Sequence, residues 1–178
     1  IELLKILDLK NFYLINEDAN LKEIFTLIFP EFMYLERLDK LKKVSGYSEV
    51  SKDLILAVLL INEKNNHEYF SHKYNVSNTT KDHLNLLSNN LKQLKEKDYF
   101  DKEIEKNIYI NGKNHLISLN ILNFILNSKS KLSNFLKNLK NIKNSKTHIF
   151  PIDGKYLIDS GMKEGFALGK TLKSIETE

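Results

Sequence analysis

Lysine is the side chain through which this chain can do most chemistry, and its placement is uneven. Between Glu105 and Asp153 there is no acidic residue, yet the stretch carries eight lysines: Lys106, Lys113, Lys129, Lys131, Lys137, Lys140, Lys143 and Lys146. The whole chain is +4 at pH 7, so everything outside this stretch sums to −4. AT-rich codons favour the abundant Lys, Asn and Ile, but such a bias would add lysine everywhere and does not explain the segregation. Ammonium groups neutralise phosphates and release counterions, and a one-sided basic region is the footprint of a polyanionic partner. Lys137 and Lys140 are three residues apart and flanked by asparagines, whose amides hydrogen-bond phosphate or ribose. Lys155, Lys163 and Lys170 extend the basic series downstream. A solvated face is the ordinary explanation for any single lysine-bearing helix; the length of the acid-free stretch is what favours a polyanion.

Two other arrangements look catalytic but lack the spacing. His67 and His72 are five apart, about 140° around a helix, whereas a zinc pair of this kind stands four apart on one face. They read as surface histidines near a helix start. The run from Gly165 through Gly169-Lys170-Thr171 is one residue short of a phosphate-binding loop, and no buried strand precedes it. It reads as a helix that packs through its small residues. His83, His115 and His148 are scattered, and Asp98, Asp101 and Glu103 suit a solvated turn. The absence of cysteine excludes a disulfide framework, a thiolate metal site and a cysteine nucleophile. No Asp-x-Asp pair lies in an apolar strand, so no catalytic residue and no metal ligand set is assigned. The amides of Gly161 to Gly165, just before a helix, read either as a phosphate contact or as an ordinary helix corner.

Helices are the elements that must position these groups. Two prolines and six glycines are few for 178 residues. The pattern predicts an all-α, irregular multi-helix bundle with a small helical C-terminal tail. Helices are expected over residues 1–9, 21–29 and 32–41, the last with Phe32, Leu35, Leu38 and Leu41 along one stripe. Ser51 is expected to cap a helix that is apolar all round from Leu54 to Ile61, which belongs in the middle of a bundle. A short helix follows at 68–74. Thr79 and Asp82 have capping-box spacing before a longer helix with Leu84, Leu87, Leu91 and Leu94 on one face. Further helices are expected at 116–126 and from Leu132, where Leu132, Phe135, Leu136, Leu139 and Ile142 line one side. In the tail, Asp153 is expected to cap a helix ending at a left-handed Gly161, and a last helix runs over 164–175, with Gly165, Gly169 and Leu172 near one face. The organisation is 1–48, N-terminal helices, neck-proximal under the family likeness that the tail and these helices carry; 49–147, helical body; and 148–178, a helical tail with a glycine-punctuated helix-turn-helix.

The tail resembles the C-terminal end of bacterial class II tRNA nucleotidyltransferases and their poly(A) polymerase relatives. The likeness is carried by Pro151-Ile152-Asp153-Gly154, then Leu157, Gly161, Gly165-Phe166, Gly169 and a closing helix to Glu176; the family has Gly-Pro where this chain has Gly165-Phe166. Glu2-Leu3-Leu4-Lys5-Ile6-Leu7 with Leu27-Ile28-Phe29-Pro30 is similar to the segment beyond the family's neck. Ser51 to Ile61 and His72 to Asn78 resemble its body helices. The resemblance implies an all-helical body and tail that cradle tRNA or another structured RNA. It also implies a catalytic head, in an N-terminal region or a separate subunit, that uses Mg²⁺ with CTP or ATP. Under it, Lys129, Lys131, Lys137, Lys140, Lys143, Lys146, Lys155, Lys163 and Lys170 are the RNA-binding candidates. This stretch itself carries no catalytic residue and no cofactor, and exposed apolar residues near 1–9 are expected at the junction with the head.

The chain opens on Ile1 within an amphipathic pattern, which suggests a preceding segment. The longest apolar run, Leu54 to Ile61, is far short of the roughly 20 residues a membrane span needs, and no signal peptide is apparent, so a cytoplasmic protein is expected. The competing class is a helical protein-interaction or scaffold module with no nucleic-acid role.

Overall fold

The structure is a computed structural model, and it describes residues 2–9, 12–94, 99–147 and 152–177. The chain is 69% helical, with eleven α-helices and no strand among the described residues. It divides into two compact units, Ile1–Ser145 and Lys146–Glu178. Residues 1–48 and the bulk of the body therefore share one unit. Asp98, His148 and Pro151 lie outside the described residues.

The first unit holds α1 (Glu2–Leu7), a 3-10 turn (Phe12–Asn16), α2 (Ala19–Ile28), α3 (Arg37–Val44), α4 (Lys52–Leu60), α5 (Asn66–Lys73), α6 (Asn78–Gln93), α7 (Ile104–Asn111), α8 (Lys113–Leu126) and α9 (Leu132–Asn144). Short polar side chains start several of them. Asp18 accepts from the amides of Asn20 and Leu21 at the head of α2, and Ser51 accepts from Leu54 N at the head of α4. Each satisfies amides that have no partner within the helix.

Two helices form the hub. All seven residues from Leu54 to Leu60 of α4 are buried, and α8 buries Leu116, Leu119, Ile121, Leu122 and Ile125. An apolar circumference can be satisfied only by neighbours on all sides. Accordingly α4 packs against α1, α3, α5, α6 and α8, while α8 packs against α3, α4, α6, α7 and α9. The basic side chains of α3 reach the C-terminal ends of both. Arg37 Nη1 donates to Val58 O and Ile61 O, each at 2.9 Å, and Lys40 Nζ donates to Ile125 O at 3.1 Å. Cations there satisfy orphan carbonyls and oppose the negative end of the helix dipole. One side of the core gathers the rings of Phe25, Phe29, Phe32, Phe70 and Tyr74, with successive ring centroids 4.7 to 5.4 Å apart. Above it the buried Glu31 carboxylate accepts from Lys73 Nζ at 2.7 Å and Tyr74 Oη at 3.0 Å. Burial pushes the Glu31 carboxyl up, but Lys73, its own backbone amide and Tyr74 together outweigh it and hold it below its ordinary value. Its carboxylate raises Lys73 to about 12.

Several expectations are corrected. The helix expected at 32–41 starts at Arg37. Before it the chain turns by i→i−3 bonds, among them Phe32 N to Phe29 O and Arg37 N to Tyr34 O, each at 3.0 Å. Pinning of Glu31 by α5 holds this segment in place, and the three-residue spacing of Phe32, Leu35 and Leu38 suits the tighter winding. Those three and Leu41 are all buried. The cap of α6 is Ser77, not Thr79: Ser77 Oγ accepts from Thr80 N at 3.3 Å and the helix begins at Asn78. Leu132, as the first residue of α9, stays exposed rather than lining the packed side. His67 is buried rather than on the surface. α7 is not among the expected helices; it turns directly into α8 through Gly112 at φ +80, a conformation that only glycine adopts freely.

In the second unit, Asp153 accepts from Tyr156 N at 2.7 Å and caps α10 (Gly154–Asp159). Gly161, at φ +98, ends it: Gly161 N donates to Ile158 O and Met162 N to Leu157 O, the paired closure of a Schellman turn. α11 (Phe166–Thr177) follows. The small-residue contact in this unit falls at Gly154, where a Cβ would stand 3.4 Å from Leu168 Cδ2; Gly169 meets nothing within 4 Å.

Candidate nucleic-acid interface

The lysines of the first unit are organised by α9. Phe135, Leu139 and Ile142 are buried at spacings of four and three, so this stripe faces α8. Asn120 Nδ2 on α8 donates to Phe135 O at 3.0 Å, and Asn138 Nδ2 donates to Asn120 Oδ1 at 3.1 Å, which fixes the rotation of α9 about its axis. The opposite face then carries Ser133, Lys137, Lys140 and Asn144, all exposed. Lys137 and Lys140 point outward about 60° apart on ideal helix geometry. Lys129 and Lys131 are exposed in the turn that leads into α9.

Not every expected cation is equally available. Lys137 Nζ is 3.1 Å from Asp101 Oδ2, a pair with both side chains more than half exposed. Exposed pairs of this kind contribute about 0–1 kcal/mol, so a phosphate can displace the carboxylate. Lys143 Nζ turns back to Tyr47 O at 3.0 Å, and Lys113 Nζ to Lys143 O at 3.3 Å. Asn138 and Asn141, expected beside the lysines as ligands, are half-buried and engaged: Asn141 Nδ2 donates to Phe100 O and Asp101 Oδ1. Lys129, Lys131 and Lys140 have no ion pair among the described residues. In the second unit Lys146, Lys155, Lys163 and Lys170 are all exposed. The amides of Gly161 and Met162 are spent on the Schellman closure and do not serve a phosphate.

Sequence reasoning missed a polar cluster between α4, α6 and α8. Asp53 accepts from Thr80 Oγ1 at 3.3 Å and its other oxygen lies 3.7 Å from His83 Nδ1. The His83 and His115 rings are 6.0 Å apart, and Asn90 Nδ2 meets His115 Nε2 at 2.9 Å. Burial, with His83 beside it, lowers His115 to about 4, so it is neutral at pH 7. Among the described residues no three His, Asp or Glu side chains are placed to share a metal ion.

A second surface is apolar. On α2, Leu21, Ile24, Leu27 and Ile28 are exposed along one side, Leu27 by 74%. Ile6 and Leu9 are exposed as well. No helix among the described residues is long and apolar enough to cross a membrane.

Fold and surface together define an all-helical module with a lysine-bearing helix and an apolar face. No protein-family model matches the chain, and no curated protein or solved structure matches it.

Proposed function

We propose that this chain is the RNA-gripping body and tail of a CCA-adding tRNA nucleotidyltransferase or poly(A) polymerase. A catalytic head, in the same polypeptide or a separate subunit, supplies Mg²⁺ and CTP or ATP chemistry. The observation that carries this reading is the outer side of α9 and its leading turn, where Lys129, Lys131, Lys137 and Lys140 stand exposed and, among the described residues, a single exposed carboxylate, Asp101, contacts one of them. Such a face meets a phosphodiester backbone through charge and shape and needs no base readout. The exposed lysines of the tail offer further phosphate contacts, and the resemblance of the tail sequence gives the family.

The test is tRNA affinity measured by anisotropy between about 50 and 300 mM salt. Each phosphate contact contributes about 0.7–0.9 to the slope of log K against log salt. Replacing Lys131, Lys137 and Lys140 by alanine together is expected to lower that slope by about 2. A slope untouched by these changes, or affinity no better than that of a neutral helical protein, overturns the proposal.

The exposed apolar side of α2 favours a second reading, a protein-interaction module without RNA. Under the first reading this side receives the head. Binding of tRNA by the chain alone separates the two, since it belongs only to the first.

A further inference from the structure

A cleft of about 770 Å³ opens in the first unit where the C-terminal ends of α4, α6 and α8 meet the start of α3. That volume suits a small organic ligand. Its floor is apolar, from Ile61, Leu91 and Leu126, and Tyr34 and Tyr99 bring aromatic rings to its wall. Among the described residues its rim carries Arg37, Lys64 and Lys92, against one carboxylate, Glu63.

Arg37 is already held in place. Its guanidinium carbon lies 3.8 Å from the centroid of the Tyr34 ring, and one nitrogen is bound to the α4 carbonyls. No carboxylate pairs with it among the described residues, and burial pulls its pKa below the ordinary value. Glu36 next to it in the chain acts on it only through space; a half-buried cation that forms no ion pair among the described residues favours an anionic guest. Asn62, also on the wall, accepts two backbone amides through Oδ1, while its buried Nδ2 has no acceptor among the described residues. Cations, rings and an apolar floor are the elements that hold one nucleotide, with phosphate on the cations and base against apolar and aromatic surface.

We propose that the cleft between α3, α4, α6 and α8 binds a single nucleoside monophosphate unit, either an unpaired nucleotide of an RNA chain or a free nucleotide. This extends the proposed RNA role but rests on different residues from the α9 face, so the two can fail separately.

The test uses the full chain with three probes: AMP, a single-stranded RNA hexamer carrying one 4-thiouridine, and an acidic, tyrosine-containing peptide. Lys64 and Lys92 are exposed, so the double variant Lys64→Ala/Lys92→Ala keeps the fold, and its thermal melting checks this. Hexamer affinity is expected to fall about tenfold in that variant, to return with arginine at both positions, and to fall by less when Lys137 and Lys140 are replaced. Photocrosslinks are expected at cleft residues. Saturable AMP binding with the same variant profile assigns the free nucleotide as the source, and hexamer binding alone assigns the RNA segment. Crosslinks confined to α9, hexamer affinity unchanged in the double variant, or preference for the acidic peptide overturns the cleft assignment. Retained tRNA binding in that event leaves the α9 reading standing.

Discussion

His115 links the interior of this protein to pH. In the neutral ring Nε2 accepts from Asn90, so protonating that nitrogen turns an attractive contact into a repulsive one and places a charge next to His83. The folded-state pKa, about 4, lies below the ordinary value of 6.5. The unfolded chain therefore binds the proton more tightly. The stabilising contribution is complete above pH 6.5 and is lost as pH falls toward 4. Its limiting size is on the order of 3 kcal/mol. Urea titrations at about pH 7 and pH 4.5 should show a smaller pH dependence in His115→Gln than in the wild type; equal dependence would remove His115 as the cause. Little of this was legible beforehand. The sequence displays five histidines but not their depth, and only the packing of α6 against α8 brings His83 and His115 together. The same holds for Asn120 and Asn138, whose pairing sets how α9 presents its lysines. Arg37 was visible as the one arginine, but its tie to the end of α4 was not.

At the scale of the helix, strong periodicity was readable and local competition was not. The apolar runs of α4 and α8 announced a hub because nothing but burial suits such a surface. Asp153 and Gly161 announced the limits of α10, since both act within a turn of their own position. The start of α6 was misplaced because Ser77 and Thr79 both offer hydroxyls; Ser77 Oγ takes the Thr80 amide and donates to Thr80 Oγ1, which in turn donates to Asp53. That choice of cap is measurable. Ser77→Ala should cost about 1 kcal/mol, a fall of roughly 3 °C in melting temperature, while Thr79→Ala, an exposed first-turn change, should cost roughly a few tenths of a kcal/mol at most. Equal losses would mean that the cap is shared. α7 escaped notice because its packing includes a polar residue: buried Asn107 donates to Tyr99 O at 3.2 Å, so an apolar count undervalues that helix.

For the molecule as a whole, the all-helical class was legible from scarce proline and glycine and from uninterrupted helical periodicity. The chain divides between Ser145 and Lys146. The two parts differ in what they bury. Every member of the contiguous core belongs to the first unit, and in the second Leu157 is the one buried side chain among the described residues. A chain cut after Ser145 should therefore unfold cooperatively, with a melting temperature within about 3 °C of the full protein, because core burial sets stability. Loss of the cooperative transition would show that the tail is needed for the core. So slender an interior also implies that warming unravels the tail before it melts the body. Phe166, 91% exposed at the start of α11, would then be the first aromatic ring to register a visitor, and isotope labelling at that position offers a sentinel for whatever the tail touches.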